Sequence, residues 1–322
     1  MRGLSKPLKY RLLFLFVGNG LLLLLISVFL REGASFTQVL SQAGPDCAPI
    51  ILAGLGMTGI ILTGGIDLSI GSVIAVAGTV FGCLVYWEVP PLLCYLACGL
   101  TAWGLSTLNG ALVRKLRLPA IIVTLAGLAF YRGVALMIAD VAVPDFGGNL
   151  SVQDDAYHGP GKFHANSILL ATLVMALVWE AFAETPRRWL ALGNSPEACR
   201  LQGLAPGRIL QSAFTVGGIL LAVGALIEVT QVQTIEPARM TRGFELRVVG
   251  AVVLGGTNIF GGEGSFAGTV LGAFFLYFAQ QLLIYAQVSP YLQEVLIGGA
   301  ILLVIGADCT LNRRAKMLAE LR

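Results

Sequence analysis

Polar groups that could bind a solute or cap a helix interrupt the apolar stretch 61–82. Asp67 and Ser69 lie in it, directly after the glycine pair Gly64 and Gly65. A carboxylate beside a hydroxyl can hydrogen-bond a polar solute, or it can accept from the free N–H groups of a helix start. In a bilayer such groups must face protein or a water-filled path, because lipid satisfies neither a charge nor a broken helix. Helix capping and solute contact are both open for Asp67.

The composition indicates that these groups lie in a membrane protein. Hydrophobic residues make up 56% of the chain and charged residues 12%, against roughly 45–50% and about 25% in soluble domains. The mean hydropathy is +0.82, and the 40 glycines suit close packing of helices in lipid. The apolar stretches are continuous rather than alternating, which favours helices over a barrel. We therefore predict an all-α, polytopic bundle of transmembrane helices.

Ten apolar segments are candidate transmembrane helices by length. Their approximate bounds are 11–30, 47–66, 68–87, 91–113, 118–140, 165–183, 207–229, 245–261, 266–286 and 291–308. Most prolines fall between these segments, where a helix can end; Pro45 is expected before the second segment and Pro49 in its first turn. No segment outside the spans is long enough to bury a core of its own. The prediction is one transmembrane domain over 1–322.

The distribution of positive charge predicts the orientation of the chain. With the N-terminus inside, 15 of the 21 Lys and Arg residues fall on the inner side and five on the outer side, with Arg132 inside a span. Cytoplasmic loops carry such an excess, so both termini are predicted to be cytoplasmic. The longest outer loop is then 141–164 and the longest inner loop 184–206. These loops separate front helices, 11–140, from back helices, 165–308.

Arg132 is the second charge inside a predicted span, directly after Tyr131. A charged side chain in a span costs about 2.5–3.5 kcal/mol on insertion scales, so it needs a partner or water. Arg132 is expected in the outer part of its span, where its long side chain could also reach the membrane surface. A role between helices or along a path, and a surface-reaching role, are both open.

A glycine-rich segment, 255–264, is expected to break a helix inside the membrane or at its edge. Its glycines are Gly255, Gly256, Gly261, Gly262 and Gly264, and Thr257 and Asn258 lie between them. A tight turn and a gate are equally open readings. No Gly-xxxx-Gly-Lys-Ser/Thr motif occurs in the chain, so we expect no ATP binding or hydrolysis by this chain itself. No catalytic residue or cofactor is expected in this chain. No disulfide or metal site is expected either, since the six cysteines form no CxxC pair.

Four stretches, spread over roughly residues 50–308, resemble a known family. They are 62–72, 118–133, 192–203, and 243–246 followed by 252–265. In this order they resemble the membrane-spanning permease of bacterial ABC importers for simple sugars, the ribose, xylose, galactose and autoinducer-2 group. Cys199 departs from the pattern, because the family usually has a second Ala after Glu-Ala.

The resemblance implies that the inner loop 184–206 holds the coupling helix, which docks on an ATPase subunit. The contact residues would be Glu197, Ala198, Arg200 and Gly203. From the residues alone, Ser195 and Pro196 favour a helix start and Gly203 favours its end. An ordinary inner loop is the alternative.

The resemblance also implies partners and a location. These are an ABC ATPase subunit that binds the ATP, an extracytoplasmic solute-binding protein, a second permease subunit (identical or homologous), and the lipid bilayer of the bacterial cytoplasmic (inner) membrane; no nucleic acid is expected. Candidate residues of the translocation path or gate are Asp67, Ser69, Tyr131, Arg132, Thr257 and Asn258. An ion-coupled secondary transporter is the alternative; it would carry mid-span acids, which are nearly absent here. An intramembrane enzyme would need a motif such as HExxH, which is not present.

Overall fold

The computed structural model describes residues 6–30, 35–143, 150–152, 161–232, 234–300, 302–303 and 306. The helices bounded within them are α1 (Lys6–Phe29), α2 (Phe36–Leu62), α3 (Ile70–Tyr86), α4 (Pro91–Leu116), α5 (Ala120–Ala142), α6 (Gly161–Phe182), α7 (Glu184–Asn194), α8 (Pro196–Leu201), α9 (Pro206–Gln231), α10 (Phe244–Leu254) and α11 (Phe266–Tyr285). Residues 290–300 are also helical and are labelled α12. Two short strands, β1 (Leu150–Ser151) and β2 (Thr234–Ile235), pair antiparallel.

Six helices among the described residues are long and apolar enough to cross a membrane. They are Tyr10–Phe29 of α1, and α2, α4, α5, α9 and α11. Helix α3 and residues Asn166–Leu177 of α6 are shorter apolar helices. The prediction of an all-α polytopic membrane protein is therefore confirmed at this level. The count of ten spans and the placement of the termini stay predictions.

Helix α2 begins much earlier than predicted, at Phe36 instead of about 47. Ser35 starts it through a capping box. The Ser35 side chain accepts from the backbone N–H of Gln38, and the Gln38 side chain accepts from the backbone N–H of Ser35. Pro45 and Pro49 therefore lie inside the helix, and their expected places at its start were wrong. Because Pro49 has no N–H, the carbonyl of Pro45 loses its helical donor. Gln231 Nε2 of α9 donates to that carbonyl at 3.0 Å instead, which is how a bundle tolerates such a proline.

The predicted span 245–261 is not a single helix. Helix α10 ends at Leu254 after 11 residues, a length of about 16 Å, which is too short to cross a membrane. The chain before it re-enters the bundle: going down α3, Gly82 lies against Ile235, Gly78 against Met240 and Gly71 against Thr241. These three glycines span about 16 Å of α3. Residues 236–243, predicted to belong to an outer loop, thus lie deep along α3; we call them the re-entrant segment.

The front and back groups of helices share one packed bundle around α2. The backbone of α2 meets α9 closely, since Gly56 lies against Gly217. Helix α9 also packs on α4, where Ser106 Oγ donates to the Phe214 carbonyl at 3.1 Å. Helix α11 joins the far N-terminal helix α1, where Asn19 Nδ2 donates to a carbonyl of α11. The predicted front and back groups are therefore successive in sequence but interleaved in space.

Segments predicted to share a membrane side do lie at the same end of the bundle. At one end β1 and β2 pair, joining the two predicted outer loops. At the other end 63–69, 255–264 and the loop 184–206 contact one another. Which end faces the cytoplasm stays a prediction. Residues 144–149 and 153–160 of the predicted outer loop, and the basic C-terminal residues 313–316, lie outside the described residues.

Candidate functional site

The break between α2 and α3 is organised by Asp67. This carboxylate is fully buried, and its Oδ1 accepts from the Ser69 backbone N–H at 2.9 Å and from the Ser69 hydroxyl at 2.6 Å. Ser69 is the N-cap residue of α3. The geometry is that of the helix-start role considered for Asp67, because the carboxylate fixes the residue from which α3 begins.

Two further helices join this network, through the predicted Tyr131 and through Asn109 and Thr124, which were not predicted as site residues. Asn109 Nδ2 of α4 donates to Ser69 Oγ at 2.7 Å, and the Tyr131 hydroxyl of α5 donates to Asn109 Oδ1 at 2.7 Å. Thr124 Oγ1 of α5 links to the Ile66 carbonyl and to the Leu68 N–H, both at 3.1 Å. The signal that could have found Asn109 is an amide in a long apolar helix, since such a group needs a partner. Ser69 and Tyr131 are therefore held in one buried hydrogen-bonded chain.

The Arg132 side chain contacts the re-entrant segment, not Asn109, the partner of Tyr131. Its Nη1 donates to the carbonyls of Pro237 at 2.7 Å and Met240 at 2.8 Å. The side chain thus bridges α5 to the segment between β2 and α10. Of the two roles considered, this geometry is that of a bridge between elements and not of a side chain reaching to the surface.

The glycine-rich segment forms a tight turn between α10 and α11. Gly261 and Gly262 have φ values of +91° and +77°, which side chains rarely adopt. The Asn258 N–H donates to the Glu263 carbonyl at 2.8 Å, and Asn258 Oδ1 accepts from the Phe260 N–H at 3.0 Å. These bonds close the turn. Of the two readings left open for this segment, the tight turn is observed, and a gating role stays a prediction.

The remaining predicted residues of this turn are packed tightly. Thr257 is fully buried, and its side chain lies where any side chain on Gly264 would stand. Gly255 lies directly against the backbone of Gly268 in α11, and Gly256 follows it into the turn. The glycines therefore permit backbone-to-backbone contact between α10 and α11.

The two predicted helix breaks meet each other. The Gly262 N–H donates to the Leu62 carbonyl, the last residue of α2, at 3.1 Å. Gly261 also lies against Gly64, since a Cβ on Gly261 would stand 2.8 Å from the Gly64 nitrogen. Gly65 packs among side chains from α2, α5 and α9. The turn 255–264 is thus joined to the break 63–69 by backbone contacts.

The loop 184–206 joins this junction through the last two residues of α7. Gly193 packs against the Leu62 carbonyl and the Gly262 nitrogen with no room for a side chain. Asn194 Nδ2 donates to the Gly262 carbonyl at 3.0 Å and to the Leu190 carbonyl at 2.9 Å. We call the contact of Leu62, Gly193, Asn194, Gly261 and Gly262 the three-way junction.

Helix α8 follows the junction and has the start and end that the sequence predicts. Ser195 Oγ accepts from the Ala198 N–H at 3.1 Å, and Pro196 occupies the first turn. Gly203, with φ +75°, ends the helix, and its N–H donates to the Arg200 carbonyl at 3.0 Å. The exposed residues of this segment are Pro196, Glu197, Ala198, Arg200, Leu201, Gln202 and Gly203. Cys199 faces inward and is buried.

The fold and this site together define a multi-pass helical membrane protein whose two helix breaks meet an exposed helix at one end. Residues 44–305 match the family model "Branched-chain amino acid transport system / permease component". The chain belongs to this family of transport permeases.

Named relatives agree with this assignment. The chain is 29% identical over 299 residues to the ribose import permease protein of Haemophilus influenzae, with 91% of each chain covered. It is 31% identical over 261 residues to that of Escherichia coli strain K12, with 80% of this chain and 81% of the relative covered. It is also 31% identical over 267 residues to the autoinducer 2 import system permease protein of Photorhabdus laumondii, with 80% and 78% covered. No solved structure gives a significant match. The predicted resemblance to permeases of this group is confirmed.

Proposed function

We propose that this chain is the membrane-spanning subunit of a binding-protein-dependent ABC importer, and that it carries a simple sugar or sugar-like solute across the bacterial cytoplasmic membrane. The observation that carries the proposal is the position of α8. This helix is exposed on one side and is attached on the other to a junction of both helix breaks. The relatives named for ribose and autoinducer 2 import support the solute class.

In this proposal α8 is the element that receives work from a separate ATPase. Glu197, Ala198, Arg200 and Gly203 form its outward surface, and Leu201 beside them is 85% exposed. An apolar side chain rimmed by charged ones is the composition of a protein-binding patch. ATP would be bound by the partner, because this chain has no phosphate-binding loop motif.

The proposed path residues then act mainly by positioning the helices that surround the solute. Asp67, Ser69 and Tyr131 hold α3, α4 and α5 together, and Arg132 holds the re-entrant segment to α5. Thr257 and Asn258 lie in the turn that meets α2. A displacement of α8 would reach each of these groups through the three-way junction.

The proposal includes further partners and the topology. A solute-binding protein would deliver the solute on the side of the β1–β2 pair, and a second permease subunit would complete the path. Ten spans with both termini in the cytoplasm remain the proposed topology. An ion-coupled transporter would need acids in mid-span, near broken helices. Asp67 instead lies at the end of the bundle where 63–69 meets 255–264 and the loop 184–206, and its Oδ1 accepts from the Ser69 N–H.

Reconstitution tests the proposed function. Proteoliposomes would contain the chain with its ATPase and binding protein, and the uptake of radiolabelled ribose, xylose and galactose would be measured. We expect uptake of a neutral sugar that requires ATP on the side of the ATPase and that stops when a catalytically inactive ATPase is substituted. Uptake that persists without the ATPase and follows an imposed proton or sodium gradient would contradict the proposal and support the ion-coupled alternative.

A further inference from the structure

A polar cavity of about 650 Å³ lies between the start of α10, the second half of α11 and the first turns of α12. Arg242 and Arg247 line it from the α10 side, Gln280 from α11 and Glu294 from α12. Apolar side chains, Leu246 among them, complete the wall. With Gln293 of α12, the lining holds two guanidinium groups, two amides and a carboxylate. These groups belong to neither helix break, and the function proposed above leaves them unused.

The cavity extends from the start of α12, at Pro290, inward along α10 and α11. Helices α10 and α11 run antiparallel, because Gly255 meets Gly268 and Ala251 meets Gly272. Gln280 is therefore about 21 Å along α11 from Phe266 and about 8 Å before its end at Tyr285, at 1.5 Å per residue.

The other wall of the cavity gives the same depth. Glu294 lies about 6 Å into α12 from residue 290, and the cavity continues to Ile297 one turn further. Gln280 and Glu294 thus stand several ångströms inside the ends of α11 and α12. Ionisable side chains at such depth face a water-filled space or a partner, because lipid does not solvate them.

Three of the four side chains named above have no hydrogen-bonding or ionic partner among the described residues. Within the part of the chain that the structure describes, Arg242, Gln280 and Glu294 form no side-chain hydrogen bond or ion pair. Arg247 has an electrostatic interaction with Glu228 of α9. Arg242 and Gln280 therefore present donors, and Glu294 an acceptor, that are available to a solute.

The re-entrant segment holds Arg242 at this depth. Arg132 donates to the carbonyls of Pro237 and Met240, and Thr241 Oγ1 donates to the Gly71 carbonyl of α3 at 2.6 Å. Helix α10 begins two residues after Arg242, at Phe244. Discontinuous helices that begin inside the membrane are a common way to build solute sites in transporters, because the backbone at the break faces a polar cavity.

We propose that this cavity is a solute-binding subsite on the outer half of the transport path, and that it takes a neutral polyhydroxylated ring compound. Each hydroxyl of such a compound donates and accepts a hydrogen bond, which matches arginine and glutamine donors facing a glutamate acceptor. A site for an anion would gain nothing from the carboxylate of Glu294. The volume lies in the usual range of small-molecule sites. The inference rests on the function proposed above and specifies its solute class and binding residues.

Cysteine labelling tests whether solute enters the cavity. Ile297→Cys replaces an apolar lining residue, and Leu296→Cys is the matched control, because Leu296 is adjacent and 46% exposed but does not line the cavity. Right-side-out vesicles with the complete transporter would be treated with a membrane-impermeant thiol reagent, and unsubstituted transporter would give the background. We expect Ile297→Cys to react at least fivefold faster than Leu296→Cys, and ribose or galactose with the binding protein to slow the reaction severalfold.

Three labelling results would overturn the subsite. They are no reaction of Ile297→Cys, equal reaction of both variants without protection by solute, and protection by ribose 5-phosphate but by no neutral sugar. The last result would identify the cavity as an anion site.

Transport measurements separate this inference from the proposed function. Glu294→Gln keeps the size of the side chain but removes its charge, and we expect the sugar concentration for half-maximal uptake to rise about tenfold. Leu296→Ala should leave it unchanged. Suppose that the unsubstituted transporter shows ATP-driven sugar uptake and that Glu294→Gln has the same sugar concentration for half-maximal uptake. This result would overturn the subsite but not the proposed function. Absence of ATP-driven uptake of every neutral sugar tested would overturn both.

Discussion

The side-chain amide of Asn194 donates a 3.0 Å hydrogen bond to the backbone carbonyl of Gly262. Asn194 immediately precedes the residue that caps α8, and the N–H of Gly262 in turn donates to Leu62 at the end of α2. Two hydrogen bonds therefore connect the exposed helix to both helix breaks. Because the rest of the contact is backbone against backbone, a displacement of α8 cannot be absorbed by flexible side chains.

We expect Asn194→Ala to weaken energy coupling. The substitution removes the bond to Gly262 but leaves the exposed surface of α8 intact, so the ATPase should still bind. The sugar transported per ATP hydrolysed should fall severalfold, measured as uptake and phosphate release in the same proteoliposomes. Glu184→Gln is the control, because the Glu184–Arg188 pair of α7 is exposed and such pairs contribute little. An unchanged ratio in Asn194→Ala would contradict the role of the three-way junction.

Gly193→Ala should destabilise the folded protein. The added methyl group would collide with the Leu62 carbonyl and the Gly262 nitrogen, and backbone atoms cannot move aside as side chains do. We expect a loss of about 1–3 kcal/mol, as for overpacked cores, seen as a lower midpoint of thermal unfolding in detergent. The control is Gly133→Ala, since Gly133 of α5 has no atom within 4 Å of the added position. Equal midpoints for the two variants would refute the close packing described for the junction.

Tyr131→Phe should cost stability through the buried network at Asp67. The change removes the donor to Asn109 Oδ1 and leaves that acceptor unpaired, a loss of about 1–3 kcal/mol. Asn109→Ala should cost at least as much, because it also removes the donor to Ser69. The two losses should be clearly non-additive in the double variant, measured by chemical unfolding of the purified protein. Thr101→Val is the control, since the Thr101 hydroxyl bonds only to the Ala97 carbonyl of its own helix; additive losses would show that the network is not coupled.

Leu201→Asp should weaken binding of the ATPase subunit. Leu201 is the most exposed apolar residue of α8, and a charge there would oppose burial in a partner groove. We expect at least a tenfold higher dissociation constant by surface plasmon resonance with the detergent-solubilised permease. The control is Gln202→Asp, a polar exposed neighbour. Full binding by Leu201→Asp would exclude α8 from the interface.

Local sequence signals predicted the short elements of the site well. Ser195 and Pro196 started α8 and Gly203 ended it, because capping depends on a few adjacent residues. The helix breaks at Gly64 and at Gly261 were likewise found from glycine alone. Each of these features depends on residues within about one helical turn, so the local sequence is sufficient to predict it.

Features that depend on distant contacts were not predictable in the same way. Helix α2 passes through Pro45 and Pro49 because Gln231, far along the chain, supplies the missing donor. The re-entrant segment was predicted to be a polar outer loop because it contains Arg239 and Arg242. Nothing in its local sequence indicates its contacts with α3. Asn109 is one amide in an apolar helix, and its partner Ser69 is brought to it only by the packing of α3 on α4.

Helix α10, with 11 residues, is much shorter than a helix that crosses a membrane. The polar cavity lies at one end of α10 and the glycine-rich turn at the other, and only about 16 Å of helix separates them. A typical hydrocarbon core is about 30 Å thick. In the proposed subsite, a solute would therefore face roughly half the usual crossing, and movement of this one short helix would be the step that opens the cavity to the other side.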